Sequence, residues 1–154
     1  MTKKVQDVYS FLIPMIENSL LLPNATVAEI VPFMNVDLME DAESSEDWQL
    51  GQIIWRNIKI PVVSLERVQG KQDLGELRRS RIAIVYTLNG NQEIPYIAIM
   101  VQGIPRLVPV DDSNSKLVEQ DLPKGVKAWA DLEGRKALIP DLDLLENMLS
   151  ERAS

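Results

Sequence analysis

The chain has 154 residues, 45% of them apolar and 25% charged, which suits one globular domain whose core needs neither metal nor disulfide. It contains no cysteine and no histidine, which excludes a disulfide framework, a Cys-ligated zinc or iron–sulfur site, a thiolate nucleophile and the commonest general base. With 23 acidic against 16 basic side chains, a net charge of −7, it lacks the basic surface from which nucleic-acid binders draw their affinity.

Val8 to Ile16 is almost continuously apolar and reads as a strand buried on both faces. Leu20 to Leu22 follow. Pro23-Asn24 is a break, and Thr26 to Phe33 resumes an extended pattern in which Pro32, lacking an amide, marks an edge or an end. Met39 to Trp48 holds Glu40, Asp41, Glu43, Glu46 and Asp47 without the alternating ligands and turn glycine of a calcium loop, and reads as a solvated connector. Met34 and Met39 border it and supply adaptable apolar surface.

Ile53 to Arg56 and Ile58 to Leu65 form two strands about a tight turn at Arg56-Asn57, where Asn tolerates the left-handed backbone that such turns require. Ile58, Ile60 and Val62 share one face, and Lys59, Pro61 and Val63 the other. Gly70 to Ser80 is polar, holds two glycines, and reads as a mobile loop. Beside it Arg78, Arg79 and Arg81 form the one basic cluster, either an anion or acidic-partner site or a solvated loop guarding a strand edge. Arg81 to Leu88 places Ile82, Ile84, Tyr86 and Leu88 on one face. Asn89-Gly90-Asn91 signals a hairpin, with Ile94 to Val101 as the returning strand. Gln102-Gly103 turns into Ile104 to Val110, and Asp111 to Lys124 reads as a polar loop.

Trp129 to Leu132 and Lys136 to Ile139 make a further hairpin about Glu133-Gly134. A helix starts at Pro140-Asp141, where Asp141 or Asp143 caps or complements its positive end and Leu142, Leu145 and Leu149 line one face for docking on the barrels. At least seven short strands and one terminal helix make this an all-β barrel or sandwich. Trp48, Trp55 and Trp129 are core residues or interface anchors. The leading segment lacks the parts of a secretory signal, and no run reaches the roughly 18 apolar residues of a membrane span, so the expectation is a cytoplasmic protein without direct membrane insertion.

Nothing in this pattern supports catalysis. G-x-S-x-G is absent, and Gly70-Lys71 lacks the rest of a phosphate-binding loop. An enzyme holding a metal on Asp111 and Asp112 would need acids converging from separate strands, whereas here they concentrate in loops. A ligand- or oligonucleotide-binding barrel would need a basic, aromatic strand face, and aromatics are 5%. The expectation is a non-enzyme without cofactor, metal site or nucleic-acid partner.

From Gly51 onward the chain resembles the CheW family of chemotaxis adaptors. The frame of glycine, arginine five residues on, proline five further and a polar–Leu pair is met by Gly51, Arg56, Pro61 and Ser64-Leu65 in GQIIWRNIKIPVVSL. YIAIMVQGIPRLV, from Tyr96 to Val108, is similar to a second family stretch. EGRKALIPDLDLL, from Glu133 to Leu145, is similar to a third, and the likeness spans roughly Phe11 to Leu149. Asn57 stands where the family has glycine, Ile54-Trp55 where it has Asn-Leu, and Ser64 and Gln102 where it has aspartate. These departures make the chain similar to the accessory CheW-like adaptors of type IV pilus chemosensory systems.

The resemblance implies a single domain over residues 1–154, made of two intertwined SH3-like five-stranded barrels sharing a core, with a C-terminal helix. It implies a non-catalytic adaptor that couples chemosensory receptors to a CheA-type histidine kinase, or else a regulator that binds only one of them. The implied partners are the kinase's regulatory domain and the cytoplasmic tip of a methyl-accepting receptor. Mapped onto this sequence, the receptor groove falls at Val27 and Ile30, with Arg56 and Lys59 on the hairpin beside it. Arg56 either forks onto receptor oxygens or satisfies backbone carbonyls within the barrel. Kinase contact falls on Ile104, Arg106 and Leu107, whose alternative is plain core and edge packing.

Overall fold

The computed structural model describes residues 8–153. Its strands are β1 (Val8–Pro14), β2 (Ser19–Pro23), β3 (Val27–Pro32), β4 (Val36–Leu38), β5 (Gln49–Trp55), β6 (Ile58–Val63), β7 (Arg81–Tyr86), β8 (Tyr96–Val101), β9 (Arg106–Val110), β10 (Ser115–Val118), β11 (Val126–Leu132) and β12 (Arg135–Pro140). A short helix α1 (Leu65–Val68) follows β6, and α2 (Leu142–Ala153) follows β12.

The strands form two curled six-stranded sheets, ordered β10-β11-β12-β2-β1-β9 and β3-β7-β8-β6-β5-β4. Each therefore adds a strand to the expected five. The additions are the short strands β10, in a segment that reads as loop, and β4, in a stretch without a reading of its own, because three or four residues paired on one side leave little periodicity. The second sheet is drawn from one uninterrupted stretch of chain, β3 to β8, while the first takes its strands from either side of it. Parallel pairing of β12 with β2 and of β6 with β8 completes them. After β8 the chain leaves its sheet, and β9 pairs with β1 in the other.

The sheets share a core. Ile13, Leu20 and Leu22 from the first sheet meet Val63, Ala83, Val85, Ile97 and Ile99 from the second, and α2 adds Leu142, Leu145 and Leu149. A second cluster, with Leu50, Ile53, Trp55, Ile60, Val62, Ile82 and Ile84, fills the sheet formed by β3 to β8. The expected one-faced alternation of Arg81 to Leu88 is thus corrected. In β7 Ile82 and Ile84 enter one core and Ala83 and Val85 the other, because the middle of the strand lies between two cores, while Tyr86 at its end and Leu88 beyond it are exposed. β1 does the same, with Ile13 in the shared core and Leu12 in a small third cluster. Fully burying such a side chain contributes roughly 1.5–3 kcal/mol each.

Local signals explain the ends of elements. β3 lies at a sheet edge and stops at Pro32. Arg56 and Asn57 have φ of 49° and 64°, the two left-handed residues of a tight hairpin turn. The Asp141 carboxylate accepts the Leu144 amide at 3.0 Å and caps α2. Trp55 and Trp129 are core residues, and Trp48 is half-buried against the shared core. The segment from Gly70 to Ser80 is tied down rather than free. Leu74 is buried in the second cluster, and Gln102 Nε2 donates to its carbonyl at 3.2 Å.

Candidate partner-binding surfaces

The hairpin tip is held by one carboxylate. Glu29 on β3 accepts the Trp55 indole N–H at 3.1 Å and lies 3.7 Å from the Arg56 guanidinium. That guanidinium sits 4.4 Å above the Trp55 ring, and Tyr96 meets the same ring edge-on at 5.1 Å. Arg56 thus takes neither backbone carbonyl nor core position. Its side chain is 70% exposed, with Glu29 as its ion-pair partner. Lys59 is exposed beside it, opposite Ile54 in the register.

Val27 and Ile30 stand on the same strand as Glu29 and are half-buried against the shared core. The structure therefore brings Arg56 to β3 through Glu29, while Val27 and Ile30 are apolar edge positions packed inward. Lys59 is displaced onto the outer side of the hairpin.

Ile104, Arg106 and Leu107 are exposed, the first at 69% and the last at 52%. Arg106 and Leu107 lie on β9, an edge strand, and combine side-chain surface with unpaired backbone, and Ile104 precedes them in the turn after β8. Tyr9, 51% exposed, lies next to them on β1, and Leu107 is opposite Phe11. Pro105 and Pro109 interrupt the free edge, which favours side-chain contact over strand addition.

A residue that the sequence reading passed over organises the connector after β4. Arg67 on α1 is buried at 6% exposure, and its guanidinium donates to the carbonyls of Ala42 at 2.7 Å, Asp47 at 3.0 Å, Glu43 at 3.3 Å and Gln72 at 3.0 Å. The connector, expected as solvated, is therefore anchored through its backbone. Arg152 adds a 2.8 Å ion pair to Asp47 and stacks 4.1 Å above Trp48. The available signal was Ser64, whose hydroxyl accepts the Arg67 amide at 3.2 Å, so a Ser at this motif position starts a helix and turns Arg67 inward.

Next to Arg67, Glu66 is 5% exposed. One carboxylate oxygen accepts the Ile16 amide at 3.2 Å, tying α1 to the β1–β2 turn, and the other has no donor among the described residues. Burial pushes its pKa above the ordinary 4.5, against the opposing pull of that amide and of Lys71. A raised acid stabilises the fold fully below its unfolded pKa, and that contribution is lost as pH rises through the folded value. Glu66→Gln is therefore expected to match the parent in stability below about pH 4.5 and to show a flatter decline above it, in urea titrations repeated across pH. Parallel curves across the whole range would contradict this.

Among the described residues no group of three or more acidic side chains is placed to hold a metal. Asp111, one of the two weighed as ligands, accepts the Ser113 and Asn114 amides and closes the turn before β10. No described helix is long and apolar enough to cross a membrane.

A family model described as a CheW-like domain matches residues 11–149. No curated protein matches this chain. Among solved structures, the scaffolding protein TtCheW from Thermoanaerobacter tengcongensis is similar, with a TM-score of 0.70 and 18% identity over 92% of this chain and 90% of that one. At that identity the likeness is one of fold.

Proposed function

The chain belongs to the CheW-like domain family, a family of chemotaxis scaffolds that interact with chemoreceptors and CheA, and from that premise we propose that it is a non-catalytic adaptor joining a receptor tip to the regulatory domain of a CheA-type kinase. The observation that carries this reading is the extent of the family match, which takes in strands of both sheets and most of α2. We read residues 1–154 as one such domain acting in the cytoplasm.

An adaptor works through surfaces. The exposed Ile104, in the turn before β9, and Arg106 and Leu107 on it have the apolar-plus-arginine character of an interface centre and support kinase contact there. Val27 and Ile30, with Arg56 and Lys59 on the neighbouring hairpin, are our assignment for the receptor, whose helical tip would lay its apolar face along the β3 edge. Arg56 is already aligned by Glu29 and Trp55, so it would offer its free N–H groups without first being ordered. Signalling is then a population shift, limited by how differently the receptor's conformations bind the adaptor.

Titration calorimetry against the regulatory domain of the CheA-type kinase from the same genome tests this. Binding on the order of micromolar is expected, weakened about tenfold or more by Arg106→Glu while the thermal midpoint stays put. Absence of binding would remove the kinase arm and leave receptor binding alone. Kinase binding without receptor binding would make the protein a regulator that does not couple the two.

A further inference from the structure

Two surfaces of opposite charge lie side by side on one flank of the molecule. The first is a groove of about 870 Å3 between the end of β3, residues 77–81 and the turn after β8. Phe33, Met34, Leu77 and Ile104 give it an apolar lining, and Met34 and Ile104 are 85% and 69% exposed. Arg78, Arg79 and Arg81 stand along it. Arg79 pairs with Glu76 at 3.5 Å, whereas the guanidiniums of Arg78 and Arg81 have neither ion pair nor hydrogen bond among the described residues.

The second surface is the connector between β4 and β5. Glu40, Asp41, Glu43 and Glu46 are exposed there, and their carboxylates make no ion pair among the described residues. Met39, which precedes them, is 43% exposed. A second pocket, lined by Glu43 of the connector and by Leu77 among others, lies between the two surfaces, and Leu77 also lines the groove.

Each surface has what the other lacks. An exposed methionine followed by two carboxylates matches an apolar groove flanked by guanidiniums, since methionine adapts to irregular apolar sites and arginine grips carboxylates with forked hydrogen bonds. Adjacency decides the symmetry. In a two-fold pair every contact is made twice, so neighbouring complementary patches satisfy each other reciprocally and the assembly closes.

We propose that this flank is a self-association surface, on which Met39 of one copy enters the groove of a second, Glu40 and Asp41 face Arg78 and Arg81, and the same contact recurs across the two-fold axis. The occupant is a second copy because both halves of the match are present on this chain and next to each other. The dimer does not depend on the adaptor reading. On that reading it has one consequence, because Ile104 also belongs to the proposed kinase surface, and dimer and kinase complex would exclude each other.

Sedimentation velocity on the full chain over a concentration series tests the pairing. The parent should rise from a monomer of 17.4 kDa towards twice that mass. The charge reversals Arg78→Glu with Arg81→Glu, and separately Glu40→Arg with Asp41→Arg, should each stay monomeric with unchanged melting curves. Mixed in equal amounts, the two variants should associate again, because both contacts of the pair regain opposite charges. A parent that stays monomeric to roughly millimolar concentration overturns the proposal. So does a dimer that survives both reversals, or a mixture of folded variants that does not associate.

Discussion

Replacement of Arg67 by alanine is expected to lower the unfolding free energy by about 3–5 kcal/mol, read as the shift in a urea transition. The side chain is a buried cation without a carboxylate partner among the described residues, and it serves four backbone carbonyls from two segments. An unpaired buried carbonyl costs about 1–3 kcal/mol, and the connector can rehydrate its own only by lifting away. That departure would also release Asp47, which accepts the Gln49 amide at 3.0 Å at the start of β5. Limited proteolysis should accordingly show new cleavage between residues 39 and 47. Arg67→Lys should recover little of the loss, since one ammonium group cannot span the carbonyls a planar guanidinium reaches. A loss under about 1 kcal/mol would mean that water already competes for these carbonyls.

Gly51→Ala should also be severe, for a steric reason. A Cβ at this position would fall 2.0 Å from the Asp37 carbonyl oxygen and 2.9 Å from the Leu38 Cα, both backbone atoms of β4. Its φ of 157° is also one that L side chains rarely adopt, so a backbone penalty adds to the collision. β4 must detach or β5 must bend, and either costs about 2–4 kcal/mol. Gly90→Ala is the control, because its φ of 63° favours glycine while nothing stands within 4 Å. That change should cost only about 1 kcal/mol. Amide exchange separates the two, with protection at Leu38 and Gly51 lost in the first variant and kept in the second. Equal effects would refute the steric account.

Gly51 also shows how far the sequence could be read. The Gly51–Arg56–Pro61 frame was visible as spacing, and its reason, the close approach of β4, was not, because β4 is a three-residue strand with no pattern of its own. The Arg56-Asn57 turn, the break at Pro32 and the Leu142–Leu145–Leu149 face were legible because each is a local signal with one physical cause. The crossing of β9 into the first sheet was hidden, since the choice between two partner strands is settled by non-local packing. Burial of Leu74 inside a polar segment was hidden for the same reason. Surfaces were the least legible. Ile104 and Leu107 look like core residues in sequence, and only their places in a turn and on an edge strand leave them exposed, whereas Val27 and Ile30 turn towards the shared core. Arg67 was overlooked because a basic residue among charged neighbours reads as surface until the helix that aims it is recognised.

The nesting of one sheet inside the other has a consequence for synthesis on the ribosome. The strands β3 to β8 emerge as a contiguous block and can pair as soon as β8 is free. β1 and β2 emerge earlier, yet their final neighbours β9 and β12 come from the far side of that block. At about 5–20 residues per second, the Leu20–Leu22 stretch waits roughly ten seconds for β12. For that interval a short, strongly apolar strand is without its parallel partner.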